Sequence, residues 1–248
     1  VTLLDQIQFD YPLAYGPSAV YNDTLYYIAT KNETSSDLLA FTVVNNKLKV
    51  EVIETLPLTV ENVIAKIHDN KLYFGIGSIN GSNNNELYSY NLATKKFEVF
   101  SEFPGKLRNQ AVSYVYNNEL YVYGGGASET YNLETKEWTQ LADVEIDNEE
   151  VSLLGADWAP LNDHELLVIG GFNKDVWKDA VFNLTTLQGE DHAKYRDAYF
   201  RRPVSDYKWN KKELVYNLNE NRWYQLGEIP FEAPCGHALL ATDNNIYS

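Results

Sequence analysis

Residues 114–125 read YVYNNELYVYGG, two runs rich in Tyr, Val and Leu flanking Asn117-Asn118. Such a pair suits a tight hairpin, because the central residues of a two-residue turn need positive φ and Asn tolerates it. The pattern returns in AVYNDTLYYIAT (19–30), KIHDNKLYFGIG (66–77) and APLNDHELLVIGG (159–171), each read as strand, Asn/Asp turn, strand. Leu25, Leu72, Leu120 and Leu166 recur at steps of 47, 48 and 46 residues, and Ile246 in ALLATDNNIYS takes the position once more.

A second half-repeat follows each hairpin: AFTVVNNKLKV, YSYNLATKKFEVF, TYNLETKEWTQL and VYNLNENRWYQL. Phe41 to Leu48, Tyr90 to Phe97, Tyr131 to Trp138 and Tyr216 to Trp223 are all seven residues apart, an inward aromatic answered across a turn by a large apolar residue. Each unit therefore holds four strands. Four-stranded units of roughly 40 to 45 residues with a Gly pair closing the second strand (Gly124-Gly125, Gly170-Gly171) and a late Trp read as β-propeller blades.

Composition agrees. The 248 residues are 44% hydrophobic and 14% aromatic, with 19 Tyr, which favours half-buried antiparallel sheet and an all-β fold. No run approaches the length of a membrane span, so no membrane insertion is expected. Against 35 Asp and Glu stand 20 Lys and Arg, a net charge of -15 that repels phosphate backbones and anionic lipid; no nucleic acid partner is expected. The one cysteine, Cys235, builds neither a disulfide nor a thiolate metal site. The chain starts at Val1, contains no Met and shows no signal segment, so it reads as a processed or trimmed piece of a longer protein.

The repeats resemble the kelch family of β-propellers over nearly the whole chain. LRNQAVSYVYNNELYVYGG (107–125) and the stretch from GGFNKDVW (170–177) through AKYRDAYFRRPVSDYKWNKKELVYN (193–217) are similar to the bacterial N-acetylneuraminate epimerases and, in order of blades, to their cyclically permuted mutarotase relatives. That resemblance implies a kelch-like β-propeller with six blades in the full ring. Four complete blades are expected here, at about 14–58, 62–104, 109–146 and 152–230, in a single propeller domain over 1–248. Partial blades are expected at 1–12, where VTLLDQIQFDYP parallels WYQLGEIPFEAP (223–234), and at 235–248.

In a four-stranded meander the connections from the fourth strand to the next blade and from second to third strand emerge at one end, the expected site. The second-to-third connections run 6 residues from Gly125 to Tyr131, 13 from Gly77 to Tyr90 and 45 from Gly171 to Tyr216. A connection that long inside a compact domain is usually functional or disordered. This one is rich in Trp, Tyr and Phe, and reads as a lid insertion over 172–212 or, alternatively, as a packing or oligomer contact.

Aligned on the leucines, the blade-entry positions are Tyr15, Asn62, Gln110, Ala156 and Gly236, with Arg108, Asn109, Asp157 and His237 one or two places away. Arg108 offers a planar fork for a carboxylate, and the resemblance places a matching Arg in the epimerases; the alternative is an ion pair with an acid of the next blade's loop. Asp157 and Glu61 are possible acid/base groups or ordinary turn residues, and His237 a proton carrier or a hydrogen-bonded strand residue. In the insertion, Arg201 and Arg202 complement an acidic sugar or are solvated charges; Arg202 matches a Lys in the epimerase pattern. The catalytic glutamate that the resemblance implies lies past Ser248, so no residue here inherits that role.

The resemblance thus implies a mutarotase or epimerase that interconverts anomers of N-acetylneuraminic (sialic) acid by acid/base ring opening and closure, an isomerase with no metal and no other cofactor. Its partner is a small-molecule acidic sugar, with a homodimer left open, and its compartment periplasmic or extracellular, with the cytoplasm as the alternative. The rival reading is a non-catalytic kelch module that binds a protein or glycan on the same face.

Overall fold

The computed structural model describes residues 3–102, 104, 107–124, 127–232, 235–242 and 244–248, without the side chain of Ala127. The chain divides into two compact units, Val1–Gly125 with Glu129–Gln140, and Gly126–Ser128 with Leu141–Ser248. Both are built from four-stranded antiparallel meanders, the blades of a kelch-like β-propeller.

The first unit holds three blades. Blade 1 comprises β1 (Ser18–Tyr21), β2 (Thr24–Asn32), β3 (Ser35–Val44) and β4 (Lys47–Leu56). Blade 2 is β5 (Val60–Glu61) and β6 (Ile64–His68), which both pair with β7 (Lys71–Ile79), then β8 (Ser82–Asn91) and β9 (Phe97–Glu102). Blade 3 is β10 (Val112–Tyr116), β11 (Glu119–Gly124), β12 (Ala127–Asn132) and β13 (Trp138–Gln140). Gly125, second of the expected Gly pair, lies outside the described residues.

In the second unit a short hairpin, β14 (Glu145–Ile146) and β15 (Glu149–Glu150), precedes blade 4: β16 (Ala156–Asn162), β17 (Glu165–Gly170), β18 (Lys212–Asn217) and β19 (Arg222–Glu228). Between β17 and β18 lie α1 (Lys174–Thr186), α2 (Gly189–Arg201) and a 3-10 turn (Val204–Tyr207). A last hairpin is β20 (Leu240–Ala241) and β21 (Ile246–Tyr247).

The turn chemistry accounts for the strand pairing. Both central residues have positive φ in Asn22-Asp23, Asn45-Asn46, Asp69-Asn70, Asn117-Asn118 and Asp147-Asn148, so each closes a two-residue hairpin. The leucines are equivalent: Leu25, Leu72, Leu120 and Leu166 face Val20, Ile67, Val115 and Pro160 across that hairpin. At the other hairpin, Asn91, Asn132 and Asn217 accept with Oδ1 from the amides two and three residues on, a repeated Asx turn. Tyr90↔Phe97, Tyr131↔Trp138 and Tyr216↔Trp223 are cross-strand partners. Phe41 faces Val50 instead of Leu48, because Asn45-Asn46 closes blade 1 with a shorter turn and longer strands.

Burial follows position in the blade. β7 (KLYFGIGSI) is buried on both faces between its neighbours, whereas β4 (KLKVEVIETL) alternates. One core joins blades 1 and 2 through Ile28, Leu38, Leu56, Val60, Leu72 and Phe74. A second joins blades 2 and 3 through Ile64, Tyr73, Leu87, Leu120, Val122 and Tyr131. Equivalent bulges in the fourth strands of blades 1, 2 and 4 set Ile53, Phe100 and Leu226 out of register. Ile53 and Phe100 use that displacement to reach the core shared with the next blade.

Residues 3–17 form no strand. They lie along blade 1, where Asp5 Oδ2 accepts from the Leu48 amide at 2.9 Å and the Phe9 ring meets Phe41 at 5.9 Å. Tyr11 donates to Asp37, which is 1% exposed, at 2.9 Å. Burial opposes ionisation of Asp37, but bonds from Thr55, Lys31 and Tyr11 outweigh it and hold its carboxyl below the usual range.

Candidate functional site

The blade entries share one backbone device. The Asn62 amide donates to the Tyr15 carbonyl and the Gln110 amide to the Asn62 carbonyl, both at 2.8 Å, so each blade of the first unit hands a hydrogen bond to the next. In the second unit the Gly236 amide donates to the Gly155 carbonyl, also at 2.8 Å. All five residues have positive φ: Tyr15 57°, Asn62 55°, Gln110 50°, Gly155 74° and Gly236 66°. The fourth position is thus Gly155 and not Ala156 as the leucine count has it. A bulge between Pro160 and Asn162 adds one residue, Leu161, to that hairpin and shifts the count.

In the first unit, Tyr15 is exposed and Asn62 and Gln110 are half-buried, with Gln110 Nε2 donating to Asn62 Oδ1 at 3.2 Å. Asn109 is half-buried beside them in sequence, and Glu61, on β5, is exposed. Arg108 differs from its expected state. Its side chain is 1% exposed and its Nη2 lies 2.8 Å from Glu129 Oε2, on β12 of its own blade and not on a neighbouring loop. In this structure Arg108 is therefore part of a buried ion pair.

In the second unit the insertion roots its two ends at the blade entry. The Phe172 amide donates to the Leu154 carbonyl at 2.8 Å and the Asn210 amide to the Gly171 carbonyl at 3.0 Å. Asn173 caps α1 by accepting from the amides of Asp175 and Val176. Pro203 ends α2, since the residue before a proline avoids the helical region, and Arg202 leaves extended at φ -66°, ψ 153°.

That exit carries Arg202 over two rings, 4.6 Å from the centroid of Tyr199 and 5.5 Å from that of Tyr207. Tyr207 donates to the Tyr199 carbonyl at 2.6 Å and stacks on Trp209 at 5.1 Å, and Trp209 meets Phe172 edge-on at 6.4 Å. No carboxylate pairs with Arg202 among the described residues, so its donor edges are free. Arg201, by contrast, is exposed and pairs with Asp197 at 2.7 Å.

Cys235 closes this corner. A Cβ built on Gly155 would stand 2.5 Å from Cys235 Sγ and 3.1 Å from the Phe172 ring, so only glycine fits there. Burial pushes the Cys235 thiol up to about 12, which removes it as a nucleophile at neutral pH. Two residues on, both ring nitrogens of His237 are buried with no hydrogen-bond partner among the described residues, and so is Trp209 Nε1. Burial lowers the pKa of His237 while the Asp157 charge opposes it, so the imidazole is neutral at pH 7. Asp157 Oδ2 is itself held by the Leu239 amide at 2.8 Å. Among the described residues no three His, Cys, Asp or Glu side chains are grouped to hold a metal, and no helix is long and apolar enough to cross a membrane.

Arg202, Asp157 and His237 stand out in the sequence, while the rings packed around Arg202, the half-buried Cys235 and the helices emerge only in the structure. Asn173 as a cap and Tyr195 and Tyr199 at i, i+4 were the available helix signals.

Known proteins share this arrangement of blades. The N-acetylneuraminate epimerase family model matches residues 54–247. The N-acetylneuraminate epimerase of Yersinia enterocolitica is 30% identical over 72% of this chain and 48% of its own length. That of Salmonella arizonae is 29% identical over 77% of this chain and 52% of its own. The chain therefore spans about half the length of these curated relatives. The solved structure of YjhT superposes with a TM-score of 0.62 over 75% of this chain and 56% of that one; at 23% identity it shows the fold, a kelch-type propeller. Because the match runs from the end of blade 1 through blades 2 to 4, the helical insertion and the last hairpin, this chain belongs to the N-acetylneuraminate epimerase family.

Proposed function

We propose that this protein interconverts the anomers of N-acetylneuraminate by opening and reclosing the sugar ring. The observation that carries the reading is the family match over residues 54–247. The reaction moves the anomeric hydroxyl proton to a base and a proton onto the ring oxygen as the bond between anomeric carbon and ring oxygen breaks. The open ketone rotates, and the reverse steps close it on the other face.

Within this chain Arg202 anchors the carboxylate, because its guanidinium is held against the Tyr199 and Tyr207 rings while its donor edges remain unused. His237, neutral beside the Asp157 charge, takes up a proton only once its buried ring nitrogens are uncovered. The resemblance implies a glutamate for the other proton, a role assigned to no residue of this sequence. Proton NMR of freshly dissolved α-anomer, followed with and without the protein, tests the reading. We expect a faster approach to anomeric equilibrium from a chain that includes the implied glutamate, and an unchanged rate there would overturn the reading.

A further inference from the structure

We propose that Asn62 and Gln110, within the first unit, form a subsite for a secondary amide such as the acetamido group of an acidic nonulosonate, and thereby select among such sugars; this rests on the substrate proposed above and not on the second-unit residues assigned to it. The two residues occupy the same entry position in adjacent blades of the first unit. Both are held at positive φ, a costly conformation for residues other than glycine, and the backbone bond from the Gln110 amide to the Asn62 carbonyl locks them together.

The side chains are locked as well. Gln110 Nε2 donates to Asn62 Oδ1 at 3.2 Å, which orients both amides and uses one group of each. Asn62 Nδ2 is left as a donor and Gln110 Oε1 as an acceptor, with no other hydrogen bond from either side chain among the described residues. Both residues are half-buried, so each keeps part of its surface exposed. A donor and an acceptor on separate, fixed atoms complement the carbonyl and N–H of an amide, which also lie on separate atoms. A hydroxyl offers one atom and meets one of the two. The subsite is uncharged, so it adds no preference for the carboxylate end of the ligand.

The test is equilibrium binding, by titration calorimetry, of N-acetylneuraminate and of the analogue with a hydroxyl in place of the acetamido group, which keeps the carboxylate. The unsubstituted protein should bind the acetamido sugar about tenfold or more tighter, about 1.4 kcal/mol. Asn62→Asp is nearly isosteric, tolerates positive φ and deletes the free donor. Gln110→Glu deletes the donor that orients the pair. Each should bring the ratio to within about twofold. Equal affinity for the two sugars in the unsubstituted protein, or a ratio that survives both substitutions, overturns the subsite alone. Failure to bind either sugar overturns the subsite and the proposed function together.

Discussion

Arg108 and Arg202 are the same side chain in opposite circumstances. At the entry to blade 3 the guanidinium of Arg108 is sealed from solvent and spent on Glu129. At the base of the insertion Arg202 sits against the perpendicular rings of Tyr199 and Tyr207 with its edges open. The difference teaches that a planar fork serves stability or recognition according to what the backbone brings to its edge. A strand register brings a carboxylate to Arg108, while a proline and two rings hold Arg202 without one.

Breaking the buried pair should have the largest effect. Arg108→Ala removes the guanidinium from the Glu129 carboxylate inside blade 3 and should cost about 3–5 kcal/mol in urea unfolding, whereas replacing both partners by apolar residues should recover most of that loss. Almost as large is the expected effect of Phe100→Ala. That ring is wedged between Tyr73 at 5.0 Å and Tyr131 at 5.9 Å, and its removal should cost about 3–5 kcal/mol. Leu226, at the equivalent bulge of blade 4, is 61% exposed, so Leu226→Ala should change stability by about 0.5 kcal/mol or less.

Arg202 sharpens the comparison from the other side. Arg202→Ala should weaken binding of the acidic sugar about tenfold, because a charge-assisted bond is lost, while the unfolding free energy falls by only about 1 kcal/mol. A stability loss as large as that of Arg108→Ala would show the two arginines to be alike after all. The smallest effect concerns pH. His237 has its pKa lowered in the folded protein, so the unfolded chain binds the extra proton first. The stability tied to this group is present above the ordinary value of about 6.5 and is lost as pH falls from there through the lowered folded value, with a slope of at most about 1.4 kcal/mol per pH unit. His237→Gln should flatten the stability profile in that window.

Most of the strand architecture was legible, because it is written locally. Asn or Asp pairs state where a hairpin turns, and the recurrent leucines state which strands are equivalent. The reading slipped where one residue broke the count, at Leu161, and where a shorter turn replaced an Asx turn, at Phe41. The helices of the insertion were read only as a long aromatic connection, since attention to a two-residue period hides a four-residue one. The partner of Arg108 was not legible at all. Glu129 lies 21 residues away, and only the folded pairing of blade 3 brings the two charges together.

The five Asn/Asp-pair turns named above also bear on how the chain folds. Each is specified by the residues inside it, so a hairpin finds its register from neighbours in sequence, on a scale of roughly 1–10 μs, without waiting for another blade. Contacts between blades come later, because the shared cores of the first unit join residues tens of positions apart. Nucleation is therefore expected to be distributed along the chain, with the seating of one meander against the next as the slow step.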